Sequence, residues 1–319
     1  MASVWRETQM ADNGKNYERS DCVFGSCDAS CVAWHYRPLE PALPSAAGSP
    51  CIVMAHGFGG TRDAGLEAFA ECFADAGLHV LLFDYRHFGA SEGEPRQLVS
   101  IGRQQADWHA AIAHARELEG VDGERIGLWG TSFSGGHVVA VAAADPEVAA
   151  ISSQVPMLDG MATLRALIRN AGIGPVARVS LAGLRDQAAA MAGAGPVTLP
   201  IVGAPGELAA MSTPDALPGY TAITPPDWVN RFCARVMLGL ANYRPIRAAR
   251  RLRCPALFIG CTRDAITPPE PTRRAAQLAP DAELLELDMG HFDIYVGEGF
   301  ARASSAQRDF FLKRLAPSD

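Results

Sequence analysis

Short, almost wholly apolar runs recur along this chain, separated by longer stretches of helical period. The runs are Cys51 to Ala55, His79 to Phe83, Arg125 to Trp129, Val148 to Val155, Pro255 to Cys261 and Leu284 to Leu287. A strand with one wet face alternates apolar and polar residues. Continuous apolarity therefore predicts burial on both faces, as in parallel strands covered by helices. Between the runs, Ala64 to Ala76 and Gln97 to Leu118 carry apolar positions at three- and four-residue steps, with Ile101, Trp108, Ile112 and Ala115 on one face of the second. Phe300 to Leu315 brings Phe311 and Leu315 together on a closing helix. Each parallel crossover needs a covering helix, so the predicted class is α/β: a doubly wound, mostly parallel sheet. Ahead of it, Cys22 to Phe24 and Cys31 to Tyr36 predict an antiparallel hairpin, with Gly25, Ser26 and Asp28 to Ser30 as turn residues.

The rhythm breaks from Met157 to Arg250. Helical patches at Met161 to Asn170, Ala177 to Ala192 and Trp228 to Leu240 are separated there by loops rich in Pro and Gly, without an obvious sheet strand. Lying between two strands, this segment predicts a lid over the carboxyl edge of the sheet, where open α/β sheets place their ligands. The expected organisation is an N-terminal extension (1–19), a core (20–156 and 251–319) and an inserted helical lid (157–250). Charged residues are sparse between Ala171 and Pro226, which fits either a substrate with an apolar part or the packing of the lid itself.

Composition narrows the function. A hydrophobic fraction of 48% supplies a packed core, and a net charge of -7 argues against a nucleic-acid partner. The basic stretch Arg244 to Arg253 reads as a solvated helix face. Of eight cysteines, Cys51, Cys72, Cys233, Cys254 and Cys261 read as small core residues. Cys22, Cys27 and Cys31 lack a CxxC pair, which disfavours zinc, and a Cys22–Cys31 disulfide is the other reading weighed. Met1 to Ser20 is polar, without an export signal or membrane span, so a cytoplasmic protein with no membrane partner is expected. The oligomeric state, a homo-oligomer included, is left open.

The strongest local signal is Gly130-Thr131-Ser132-Phe133-Ser134-Gly135-Gly136, directly after a buried run and before a helical stretch. A serine hydroxyl is a poor nucleophile, so it must stand proud of the sheet on a sharp strand-to-helix turn where a base can reach it. Small flanking residues permit that turn. The usual G-x-S-x-G becomes G-x-S-x-S here. Ser134 as nucleophile would lie two residues too far into the helix, so Ser132 is favoured. His56-Gly57-Phe58-Gly59-Gly60 ends another buried strand, a place from which a glycine-rich loop can aim a backbone N–H at a developing oxyanion. The oxyanion donors are then Phe58 N–H and Phe133 N–H, supported by His56, Gly57, Gly59 and Gly60, and losing one donor costs about 3 to 4 kcal/mol. His291, after the last run, is the candidate base. Asp264, after the preceding one, would orient it, with Asp159 and Asp293 as rivals. His137 lies on the nucleophile's own helix with its ring turned away, and His35, His79, His87, His109 and His114 read as structural.

Together these residues resemble the α/β-hydrolase superfamily, over nearly the whole chain outside the first twenty residues and the lid. Phe83-Asp84-Tyr85-Arg86 with Gly89, Ser91 and Gly93 looks like the loop after the fourth strand of many members, with Asp84 and Arg86 structural. The joint occurrence of HGFGG, GTSFSGG and GHFDIYVGE is similar to bacterial serine esterase-like hydrolases of the dienelactone hydrolase, acetyl xylan esterase and serine aminopeptidase-like grouping. The resemblance implies the α/β-hydrolase fold, the chain order Ser, Asp, His, and acyl-ester chemistry without metal or organic cofactor. Ser132 stands where dehalogenases and epoxide hydrolases carry aspartate and dienelactone hydrolases proper carry cysteine. The expected activity is cleavage of a small-molecule carboxylic ester or lactone. An acyltransferase, thioesterase or lactone-forming cyclase is the alternative, and a non-catalytic binding module a remoter one. Glu207 is the lone acidic candidate for a peptidase's amine site.

Overall fold

The computed structural model describes residues 14–317, apart from the side chains of residues 170 and 171. Ten strands and nine α-helices follow one another in those residues. A long hairpin, β1 (Tyr17–Ser26) and β2 (Ala29–Pro38), leads into β3 (Ser49–Ala55), α1 (Glu67–Asp75), β4 (His79–Phe83), α2 (Ile101–Arg116), β5 (Val121–Thr131), α3 (Phe133–Ala142) and β6 (Val148–Gln154). An insertion then carries α4 (Gly160–Ala171), α5 (Ile173–Met191), β7 (Thr198–Leu199), α6 (Ala216–Ile223), β8 (Phe232–Cys233) and α7 (Met237–Leu240). The chain returns to the sheet through β9 (Ala256–Cys261), α8 (Pro269–Leu278), β10 (Ala282–Leu287) and α9 (Gly297–Arg314).

The eight-stranded sheet has the order β1-β2-β4-β3-β5-β6-β9-β10. The β1–β2 and β2–β4 pairs are antiparallel, and β4, β3, β5, β6, β9 and β10 run parallel as the apolar runs predicted. Helices cover both faces: α1 and α9 bury Phe69, Phe73, Phe310 and Phe311 on one, and α2 and α3 bury Trp108, Ile112, Val138 and Val139 on the other. From β3 the chain moves outward to β4 and then crosses back to β5. The strand order therefore reverses at β3 and β5, and the crevice beyond their carboxyl ends is the topological switch point. Register places Ala55 beside Gly130 and Thr131 beside Gln154, so the segments after β3, β5 and β6 emerge side by side.

Several expectations need correction. The hairpin strands start at Tyr17 and Ala29, so residues 17–19 of the expected extension belong to the sheet, and residues 1–13 lie outside the described part. Gly25 and Ser26 are paired in β1, and the turn is Cys27-Asp28 alone. Cys22 faces Ala33 while Cys31 faces Phe24, and the three cysteines of this region are free thiols. Continuous apolarity overstates burial at β10, an edge strand on which Leu284 is exposed. Trp228 to Leu240 is no single helix, because β8 and a 3-10 turn (Ala234–Val236) precede α7. The Arg244 to Arg253 stretch forms 3-10 turns, with Arg244 bonded to Asp159 at 2.6 Å.

Beneath the loop after β4, the buried Arg86 guanidinium meets Asp107 at 2.7 Å, Ser26 Oγ at 2.7 Å and Asp28 at 3.1 Å, tying hairpin, loop and α2 together. Removing one partner of a buried ion pair strands the other charge. Asp107→Ala is expected to lower stability by about 3 to 5 kcal/mol in urea unfolding, and a loss under about 1 kcal/mol would reject a bracing role for this pair.

Candidate active site

Ser132 sits between β5 and α3 with φ 55° and ψ -115°, a conformation that costs a non-glycine residue about 1 to 3 kcal/mol. Hydrogen bonds hold it there: its N–H donates to the Gln154 carbonyl at 2.8 Å, and its carbonyl accepts from Met157 N–H at 2.8 Å. A β-carbon at Gly130 would come within 2.3 Å of the Ser134 carbonyl oxygen, which is why the turn needs glycine there. The departure at Ser134 is accommodated from inside. Its buried hydroxyl is hydrogen-bonded to Tyr85 Oη, which also accepts from Trp108 Nε1 at 2.7 Å, so Ser134 faces the core and not the crevice.

The loop after β3 passes directly over this turn. A β-carbon on Gly57 would lie 3.1 Å from Ser132 Cβ, so only glycine allows the approach without displacement. Neither Phe58 N–H nor Phe133 N–H has an acceptor among the described residues. The insertion pins the loop through Tyr220, which donates to the Phe58 carbonyl at 2.9 Å, and Trp228, which donates to the Gly59 carbonyl at 2.9 Å. His56 is buried beneath, with Nδ1 3.0 Å from the Gly57 carbonyl, and burial pushes its imidazole down to about 4. Asp84 accepts from Arg62 N–H at 2.7 Å and braces the loop's far end. Burial raises its carboxyl to about 6.

Asp264 and His291 arrive on the segments after β9 and β10. His291 Nδ1 lies 2.6 Å from Asp264 Oδ2, and both side chains are almost wholly buried. Asp264 Oδ1 accepts from Ile266 N–H at 2.8 Å and Thr267 N–H at 2.7 Å, which fixes the carboxylate plane. Thr267 Oγ1 stands 2.8 Å from Asp264 Oδ2 and 3.0 Å from the carbonyl of Val155, a β-branched residue held at φ 35°. His291 Nε2 has no hydrogen-bond partner among the described residues, and His291 lines the small cavity that Ser132 also lines. Among the described residues the Ser132 hydroxyl makes no hydrogen bond, and Ser132 and His291 meet as lining residues of one cavity. Catalytic hydrogen bonds often tighten only once substrate is bound.

The rivals are occupied elsewhere. Asp159 caps α4 by accepting from Met161 N–H at 3.0 Å and pairs with Arg244. Asp293 accepts from Gly290 N–H at 2.7 Å. His137 is sealed between Tyr243 Oη at 2.7 Å and Gln104 Oε1 at 3.0 Å, and burial pushes it down to about 3. Sequence reasoning missed Tyr220, Trp228, Thr267 and Tyr85, whose roles are contacts across long stretches of chain that no local pattern encodes. No group of His, Cys, Asp or Glu among the described residues is placed to hold a metal ion, and no described helix is long and apolar enough to cross a membrane.

A doubly wound sheet whose switch point carries a strained serine turn beside a glycine-rich loop has the architecture of an α/β hydrolase. Known proteins agree: a family described as alpha/beta hydrolase fold matches residues 50–298, and the chain belongs to that family. It is 44% identical over 301 residues to the quorum-quenching protein AidA of Acinetobacter baumannii, covering 93% of this chain and 95% of that one. It is 28% identical over 310 residues to the polyketide transferase af380 of Aspergillus fumigatus, covering 93% and 99%. Among solved structures, the α/β hydrolase GrgF from Penicillium sp. sh18 superposes with a TM-score of 0.74 at 25% identity, covering 94% and 99%. Esterase structures, an acetyl xylan esterase among them, share the fold.

Proposed function

We propose that this hydrolase cleaves a carboxylic ester or lactone through an acyl-enzyme on Ser132, with His291 as base, Asp264 as its orienting partner and residues 157–250 as a lid. The observation that carries this reading is the strained Ser132 sharing a cavity with an imidazole whose other nitrogen is held by a buried carboxylate. The carboxylate keeps a proton on His291 Nδ1, leaving Nε2 as the basic nitrogen. As Ser132 Oγ bonds to the acyl carbon, its proton passes to Nε2. The C–O bond to the alcohol then breaks, and the departing oxygen takes that proton. Water repeats the sequence: it gives a proton to Nε2, its oxygen bonds to the acyl carbon, and the proton returns to Ser132 as the acid leaves. The N–H groups of Phe58 and Phe133, without an acceptor among the described residues, support their assignment as oxyanion donors.

A fluorophosphonate probe tests the reading. It should attach to Ser132, located by peptide mass spectrometry, and an intact protein that stays unlabelled, or is labelled elsewhere, rejects it. The names of relatives favour a second reading, in which another acceptor replaces water: polyketide transferases and an acyltransferase are among them. Both readings share the acyl-enzyme and part only at its breakdown.

A further inference from the structure

Ser132 stands where two cavities of very different size meet. The larger, about 780 Å³, runs beneath the insertion and is walled by Leu164, Leu167, Val176, Met237, Leu240 and Ile266, with Glu207 its only charged lining residue among the described residues. The smaller has room of about 20 Å³ beside His291, under Ile223 and Tyr220 and against Leu66, Phe292 and Tyr295. Ser132, Phe58 and Met211 line both. His291 lines the smaller and not the larger. Met211 is held in the partition by its backbone, which bonds to Ile201 at 2.9 Å and Gly203 at 3.0 Å.

This division has a chemical consequence that rests on the Ser132–His291 reading above. The leaving oxygen must collect its proton from His291 Nε2, and the deacylating nucleophile must surrender its proton to the same nitrogen. Microscopic reversibility places both on the His291 side, in the smaller compartment. A space of that size holds about one water molecule. The acyl chain is left the large apolar cavity, where burial contributes about 0.8 kcal/mol per methylene.

We infer that the enzyme takes esters with a long apolar acyl chain and a compact alcohol, and that Met211 and Ile223 exclude bulky leaving groups and bulky acceptors alike. Water is then the acceptor that fits, and the acyl-enzyme ends as free acid.

Two isomeric esters separate the compartments without altering the protein: methyl nonanoate places its chain on the acyl side, octyl acetate on the alcohol side. Wild-type protein should favour methyl nonanoate by at least about 100-fold in kcat/KM, since even one methylene that a pocket cannot seat costs about 10- to 200-fold. Met211→Ala and Ile223→Ala should each shrink that ratio by about 10-fold by accelerating octyl acetate. With 1-butanol present, wild type should release nonanoic acid and Ile223→Ala should release butyl nonanoate as well. Equal or faster turnover of octyl acetate by wild type, or butyl nonanoate as its main product, overturns the inference. Ser132→Ala run beside them keeps the two levels apart. If it turns over either ester within about ten-fold of the wild-type rate, the acyl-enzyme reading fails, whereas Ser132-dependent turnover with the opposite preference defeats only the partition.

Discussion

Ser132→Ala should lower ester turnover by about 10⁶-fold while leaving the fold intact, because the acyl-enzyme cannot form without the hydroxyl and the remaining groups can only assist direct attack by water. Stability should rise slightly, if it changes at all. Alanine at φ 55° keeps the strain, but the hydroxyl it removes has no internal partner to lose. Asp264→Asn is the companion test. The amide keeps the shape of the site but favours the wrong imidazole tautomer, so a loss of about 10⁴-fold is expected, concentrated in kcat. Steady-state kinetics on methyl nonanoate, with unfolding midpoints as a control, reads both variants. Activity in Ser132→Ala within ten-fold of wild type would falsify the nucleophile assignment, and an Asp264→Asn enzyme of near-normal rate would return the orienting role to another acid.

Acidification from neutral pH toward pH 4.5 should destabilise the protein. Burial pushes His35, His56 and His79 down to about 4 and His137 to about 3, while an unfolded chain protonates histidine near 6.5. Between those values the unfolded state binds more protons, so stability falls as pH drops from about 6.5 toward 4. Asp84 works in the opposite sense: its raised carboxyl, near 6, lets the folded state hold a proton that the unfolded chain has lost, but it is one group against four. Each pKa unit corresponds to about 1.4 kcal/mol. Halved for structural relaxation, the histidines together still remove on the order of 5 kcal/mol by pH 4.5, a large part of ordinary domain stability. His35 and His79 are stacked, with Nε2 and Nδ1 3.1 Å apart, so charging both is opposed twice over. Urea midpoints followed by tryptophan fluorescence at pH 7, 5.5 and 4.5 should fall in that order. A midpoint at pH 4.5 equal to that at pH 7 would show these rings already charged in the folded state.

Much of the architecture was legible because a parallel sheet writes itself locally. Burial on both faces leaves apolar runs such as Cys51 to Ala55 and His79 to Phe83, and both are strands. The strained turn at Ser132 was readable for a related reason. It needs glycine at 130, and the loop that crosses it needs glycine at 57, so the constraint falls on neighbouring residues and shows as a motif. Where burial was uneven, the local signal misled: β10 is apolar in sequence yet lies at the edge, and Trp228 belongs to a loop because its indole is drawn to the Gly59 carbonyl.

By itself the sequence determined the alternation of strand and helix, the turn at Ser132 and the strand ends from which Asp264 and His291 depart, since each depends on the chemistry of a few adjacent residues. Only the tertiary structure decided that β3 and β5 lie side by side, that Thr267 bridges Asp264 and the Val155 carbonyl, and that Ser132, Phe58 and Met211 line both a large apolar cavity and one of water size. Those outcomes arise from strand order and from side chains distant along the chain meeting at close range. Packing against partners that local propensity never sees is what sets them.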